Sequence, residues 1–153
     1  MSNNPSSKID SWQPYHLDHY AQELVLKYRN SENVLNESHK MRMAVAYGLE
    51  RFWGEHLRLK RDTKNHEKGD YWQDVWQTLQ KILESGNIIL PHDPIPLNDD
   101  KKATEKIKEM SKKIWKMTIE DRRVALMVLT QLCEALVWWT QRYKIPKLTN
   151  KGD

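Results

Sequence analysis

Histidine and cysteine are the residue types in this chain best suited to metal binding or catalysis, and none of them falls in a complete site motif. His16 and His19 stand three residues apart on a predicted helix, a spacing that can bind a metal, but no third ligand lies near them in the sequence. His92 and Asp93 are adjacent, yet a phosphohydrolase site would need a second His and Asp. We therefore predict no metal site.

Cys133 is the single cysteine, and its neighbours in the sequence are apolar. This setting favours a buried, inert thiol over a nucleophile. A lone cysteine also excludes a disulfide framework and suggests a reducing compartment. The sequence has no glycine-rich phosphate loop and no paired titratable groups that mark acid–base catalysis. We predict a cytoplasmic protein that is not an enzyme and has no cofactor.

A row of basic residues along a predicted helix over 36–64 is the first pattern suited to phosphate binding. Arginine contacts a phosphate through two parallel N–H donors, and a glycine in the row lets a backbone-sized object approach the helix. An exposed face partly neutralised by Glu50 and Glu55 explains the pattern equally well. At about 100° per residue, the row comprises Lys40, Tyr47, Arg51, Gly54, Arg58 and Arg61.

A second basic surface lies on the predicted helix 101–117. Its core face repeats at three- and four-residue steps, which places the lysines on the opposite side and next to Trp115. Such a track attracts a phosphate backbone without reading bases, whereas a solvated face neutralised by Glu105 and Glu109 is the alternative. The predicted nucleic-acid-binding residues on both surfaces are Lys40, Arg51, Arg58, Arg61, Lys101, Lys108, Lys112, Lys116, Arg122 and Arg123.

The distribution of charge agrees with a polyanionic partner. Residues 69–100 carry one lysine against six acidic residues, whereas residues 101–153 carry 13 basic against 6 acidic residues. Residues 36–68 carry 8 basic against 5 acidic residues, within a chain of net charge +4. Positive charge is therefore concentrated in two helical regions separated by an acidic connector.

Helical periodicity and scarce glycine predict a single-domain, all-α bundle of about five helices. Asp70 is expected to cap the third helix, and Gly86 to end it in the left-handed position. Residues 1–11 and 147–153 are predicted to be disordered, and the proline-rich segment 87–100 to form a long loop suited to docking. The predicted helices cover 12–29, 36–64, 71–86, 101–117 and 118–143.

The last helix, from Thr118 to Tyr143, is apolar around most of its circumference and should lie at the centre of the bundle. Thr118 and Asp121 form its predicted start, and Pro146 its stop. Polar residues within it argue against a membrane span. The aromatic residues near its end are candidates for a protein interface, because tryptophan and tyrosine are enriched there; they are Trp138, Trp139 and Tyr143.

The basic helix KKATEKIKEMSKK and the ending CEALVWWTQRYK resemble the small subunits of CRISPR effector complexes of types I and III, above all type I-D. The resemblance implies a non-catalytic helical subunit whose copies stack along a guide-RNA complex. Its partners would be CRISPR RNA, target DNA or RNA, the large and backbone subunits, and copies of itself. It would contact the guide–target duplex or the displaced strand through phosphates.

Two alternatives explain the same features. A helical scaffold that binds only protein accounts for the tryptophan pair and treats the lysines as solubility devices. The chain is also similar to the basic four-helix accessory proteins of diversity-generating retroelements, which are oligomeric nucleic-acid-binding proteins. A fifth helix and the long loop count against that second family.

Overall fold

The computed structural model describes residues 14–146, and side chains from residue 16 onward. Within that range the chain has α-helices and 3-10 turns but no strand, which confirms the predicted all-α bundle. The predicted disorder of 1–11 and 147–153 lies outside the described residues. The helices are α1 Pro14–Tyr28, α2 Glu37–Ala44, α3 Leu49–Arg61, α4 His66–Ser85, α5 Asp100–Lys116 and α6 Ile119–Tyr143, with 3-10 turns at Val45–Tyr47 and Thr63–Asn65.

Helix α6 is the centre of the bundle, as its composition predicts. It packs against α1, α2, α3 and α4, and Leu129, Leu132 and Cys133 on it are completely buried. The Thr118 side chain caps the helix by accepting the Asp121 N–H at 3.0 Å. By length and composition, α6 alone among the described helices is apolar enough to cross a membrane. Its position as the central helix of the bundle accounts for much of that composition.

The prediction of a single helix over 36–64 is wrong, because Gly48 interrupts the helix. Gly48 has φ of +96° and ψ of 170°, a backbone conformation that is essentially restricted to glycine. Its N–H donates to the Val45 carbonyl, and its own carbonyl accepts the Phe52 N–H, each at 3.1 Å. Gly48 therefore ends one helical segment and begins α3. The sequence also predicts an apolar seam along this stretch, from residues that repeat in steps of four and three. The seam crosses the break intact, since its members are all buried: Met41, Val45, Leu49, Phe52, His56 and Leu59.

Both predicted ends of the third helix differ from those of α4. The helix begins at His66, one turn before Asp70, and Asp70 instead pairs with Lys60 of α3 at 3.3 Å. At the other end Asn87, with φ of +64°, takes the left-handed position predicted for Gly86. The Ile88 N–H then donates to the Leu83 carbonyl at 3.0 Å, which completes a Schellman motif.

The loop between α4 and α5 packs against the bundle along much of its length. Ile88 and Leu90 are buried. The Trp76 indole N–H donates to the Pro91 carbonyl at 2.9 Å, and Asp93 pairs with Lys113 of α5 at 2.9 Å. These contacts occupy much of the loop that the sequence suggested for docking, and they hold α5 against the side of the bundle.

A buried hydroxyl network fixes α2 relative to α4 and α6. The Ser38 hydroxyl shares hydrogen bonds of 2.7 Å with the Tyr71 hydroxyl and with the Thr140 hydroxyl. Burial raises the pKa of Tyr71, so its hydroxyl keeps its proton. Next to this network, buried Glu37 accepts the Trp72 indole N–H at 3.0 Å. Each buried hydroxyl therefore has a partner, as unpaired ones would cost stability.

His56, in the buried seam, makes folding sensitive to acid. The pKa of His56 is lowered to about 4, chiefly by burial and to a smaller extent by the nearby Lys60 and His92, while its hydrogen bond to the Trp53 carbonyl acts in the opposite direction. Because the folded-state pKa lies below the unfolded value of 6.5, the unfolded chain takes up a proton at His56 before the folded protein does. The free energy of unfolding is therefore highest above pH 6.5 and decreases as the pH falls towards 4. We expect protonation of His56 in the unfolded chain to lower the free energy of unfolding by about 2 kcal/mol from pH 7 to pH 5.

Urea unfolding of the wild type and a His56→Leu variant at both pH values measures this contribution. The variant should lose less stability over the interval, because leucine binds no proton. Ionisable groups common to both proteins cancel in the comparison; His92, whose pKa burial also lowers, is one of them. Equal losses in the two proteins would contradict the assignment.

Candidate nucleic-acid interface

Two adjoining grooves share the exposed ring of Tyr47, which lies directly before the break at Gly48. The first groove, of about 380 Å³, lies between α2 and α3 and includes Lys40, Tyr47 and Arg51 in its wall. The second, of about 270 Å³, lies between the start of α3 and the α5–α6 junction and includes Trp115 and Arg123. We refer to the two together as the Tyr47 groove. Its chemically distinctive residues are Lys40, Tyr47, Glu50, Arg51, Glu55, Trp115, Arg122 and Arg123.

Cations outnumber carboxylates in the walls of this groove. Lys40, Arg51, Arg122 and Arg123 stand against Glu50 and Glu55. Both carboxylates are engaged within the chain: Glu55 accepts a hydrogen bond from Arg58, and Glu50 accepts bonds from Ser111 and Trp115. The groove thus presents excess positive charge to a ligand, and phosphates suit it.

Two of the three aromatic rings of the groove remain largely open to solvent, and the third, Trp72, is buried. Tyr47 is 66% exposed and Trp115 is 69% exposed. The Arg51 guanidinium lies 5.7 Å from the centre of the Tyr47 ring, within range of a cation–π interaction. The Trp115 indole N–H donates to Glu50 at 2.6 Å. A hydrogen bond therefore restrains the Trp115 ring, and the Arg51 guanidinium lies next to the Tyr47 ring.

The lysine face of α5 leads into this groove. Helix α5 buries Ala103, Met110 and Ile114, and its backbone approaches only α3 closely among the helices of the described range. Trp115 follows Lys112 by three residues and so lies next to it on the helix surface. The predicted lysines on the side opposite the core are all exposed: Lys101, Lys108, Lys112 and Lys116.

The basic row predicted on 36–64 divides into two parts. Lys40 and Arg51 lie in the Tyr47 groove, although Lys40 also lies 3.1 Å from the Glu37 carboxylate. Arg58 and Arg61 are exposed further along α3. The row is not one straight stripe because Gly48 changes the chain direction. The space beside Gly54 is open, since a Cβ there would meet no atom within 4 Å.

Met43 and Ile119 are members of the groove surface that the sequence reasoning missed. They are 73% and 62% exposed, and they lie in the first and second grooves respectively. The sequence could have indicated their exposure, because neither residue belongs to the apolar seam of its helix. Large apolar residues outside a seam are candidates for contact with a ligand or partner.

The predicted protein interface at the end of α6 is largely used within the chain. Trp139 stacks on Tyr143 with ring centres 5.3 Å apart, and Tyr143 accepts a hydrogen bond from Gln22 of α1 at 3.0 Å. Trp138 is half exposed, but the Arg142 guanidinium lies 3.6 Å from its ring centre. Contact of this cluster with another chain stays a prediction, and Trp138 is its accessible part.

The residues first considered for catalysis or metal binding are scattered. His16 and His19 are exposed on α1, and His92 contacts Gln77 at 3.1 Å in the loop against α4. Within residues 14–146, no three His, Cys, Asp or Glu side chains come together where they could hold a metal. Burial raises the pKa of Cys133, so its thiol stays protonated.

Comparison of the chain with protein-family models, curated proteins and solved structures gives no match. The resemblance to CRISPR small subunits therefore stays a prediction from the sequence.

Proposed function

We propose that this protein is a non-catalytic nucleic-acid-binding subunit that holds a phosphate backbone along the α5 lysine face and the Tyr47 groove. The observation that carries the proposal is that Arg122 and Arg123 share the second groove with two exposed aromatic rings, while Arg51 lies beside the Tyr47 ring that both grooves share. Basic grooves lined with aromatic side chains are typical of proteins that bind nucleic acid without reading its sequence.

The assembly we propose is a cytoplasmic guide-RNA complex of the CRISPR type, on the resemblance of the α5 and α6 sequences to its small subunits. In that setting the chain binds the guide–target duplex or the displaced strand and stabilises the assembly. The protonated, buried thiol of Cys133 supports a role without nucleophilic catalysis. A protein-only scaffold is the second candidate, favoured by the half-exposed Trp138.

Salt-dependent binding tests the general function. Fluorescence anisotropy with a labelled 20-nucleotide strand, from about 0.05 to 0.3 M salt, should give an affinity that falls linearly on logarithmic axes. Absence of binding at the lowest salt concentration, or binding that is insensitive to salt, would contradict the proposal. For the assembly, the tagged chain recovered from its own cells should carry repeat-derived guide RNA. Recovery with protein partners alone would favour the scaffold.

A further inference from the structure

Trp115 is the most exposed tryptophan in the described part of the chain, yet its ring is held in place. Its N–H donates to one Glu50 oxygen at 2.6 Å, and the Ser111 hydroxyl donates to the other at 2.8 Å. Glu50 thereby joins α3 to two positions on α5, one turn apart. The hydrogen bonds restrain the edge of the indole, while the ring as a whole is 69% exposed. An aromatic surface restrained before binding loses little conformational entropy when a flat ligand stacks on it.

The environment of Trp115 differs from those of Trp72, Trp76 and Trp138. Trp72 and Trp76 are buried and donate to Glu37 and to the Pro91 carbonyl. Trp138 is half exposed, but the Arg142 guanidinium lies 3.6 Å from its ring centre and so covers a ring face on which a ligand could stack. The exposed ring of Trp115 instead lies in the same groove wall as Tyr47.

The charge around the two rings identifies the ligand class. Arg122 and Arg123 share the second groove with both rings, and Arg51 lies 5.7 Å from the centre of the Tyr47 ring. The Arg122 Nε is shielded from solvent and has no hydrogen-bond partner within residues 14–146. Aromatic faces next to cations match a ligand that alternates flat rings with anions. Unpaired nucleotides have that composition, whereas the bases of a duplex are stacked on one another and unavailable.

We propose that the Tyr47 groove binds single-stranded nucleic acid by stacking unpaired bases on Tyr47 and Trp115, with Glu50 as the positioning residue for Trp115. The inference rests on the proposed function and adds selectivity for single strands. Removal of an aromatic side chain on which a base stacks lowers affinity by about 5- to 100-fold. The stacking contribution is separate from the phosphate contribution, because it requires bases.

The test compares three labelled ligands of equal length: an oligothymidine strand, an abasic strand and a duplex. The wild type should bind oligothymidine at least about tenfold more tightly than the abasic strand. Tyr47→Leu and Trp115→Leu should each reduce this preference and leave the affinity for the abasic strand nearly unchanged. Trp138→Leu is the matched control and should retain the preference.

Glu50 supplies an independent readout, because its two roles act in opposite directions. Glu50→Ala removes a negative charge, so affinity for the abasic strand should rise. The same change releases the Trp115 indole, so the preference for bases should fall. Glu50→Gln keeps an oxygen that can accept the indole N–H and should restore the preference. A merely structural role would not separate the two affinities in this way.

Equal wild-type affinity for abasic and base-carrying strands would overturn the inference while leaving phosphate binding intact. So would retention of the preference in the folded Tyr47→Leu and Trp115→Leu variants. Failure of the wild type to bind any of the three ligands would instead overturn the proposed function together with the inference. Circular dichroism of each variant establishes that it is folded before its binding is interpreted.

Discussion

Replacing Arg51, Lys112 and Arg123 with alanine is expected to reduce affinity for a single strand by about a hundredfold at about 0.1 M salt. All three side chains are exposed, and none forms an ion pair in the described part of the chain. If each neutralises one phosphate, the logarithmic salt dependence should become shallower by about 2. Alanine favours helix, so the folded state should tolerate the changes.

The matched control is a variant in which Lys64, Lys68 and Lys81 are replaced with alanine. It loses the same three positive charges, but Lys81 lies in a different groove, between α1 and α4, and the other two lie at the α3–α4 junction. The control should keep the wild-type salt dependence and lose affinity only slightly. Equal losses in both variants would indicate attraction to net charge and contradict a defined groove.

Gly69→Ala is expected to destabilise the fold by about 3 kcal/mol, because the backbone of α3 lies close against Gly69 of α4. A Cβ at this position would lie 2.6 Å from Lys60 Cγ, 2.9 Å from the Lys60 nitrogen and 3.0 Å from the His56 carbonyl oxygen. The lysine side chain can move aside, but the two backbone atoms cannot move without separating the helices. The midpoint of thermal unfolding should fall by about 10 °C.

Gly54→Ala is the control, since it places the same methyl group on a helix in open space. No atom lies within 4 Å of a Cβ at Gly54. Alanine should therefore stabilise the protein by about 0.5–1 kcal/mol through its higher helix propensity. Urea unfolding followed by tryptophan fluorescence measures both variants. A neutral Gly69→Ala would contradict the close approach of α3 and α4.

Periodicity predicted the buried residues of α3 and α5 because it depends only on local helix geometry. Met110 and Ile114 are buried, and Lys108 and Lys112 are exposed, as their spacing requires. Periodicity could not reveal the break at Gly48. The seam residues Val45 and Leu49 stay inward on both sides of the break, so the apolar repeat continues without a change of phase.

The composition of the groove depends on tertiary packing and could be predicted only in part. The sequence indicated that Arg51 and Arg123 are exposed cations, but the helices that carry them are separated along the chain. Their meeting requires the α5–α6 junction to lie against the start of α3, a contact in which Glu50 bonds Ser111 and Trp115. No local pattern encodes that arrangement, and Trp139 likewise turned inward towards α1.

The central claim is that nucleic acid occupies the Tyr47 groove, and the indole N–H resonances of tryptophan in a ¹⁵N–¹H spectrum test it most directly. On titration with a short single strand, the Trp115 indole and the Gly48 amide should shift, because both lie in the groove. The indole of the buried Trp76, which lies outside the groove and donates to the Pro91 carbonyl, should stay in place. Shifts confined to Trp138 and Trp139, with Trp115 unmoved, would place the ligand at the end of α6 and contradict the claim.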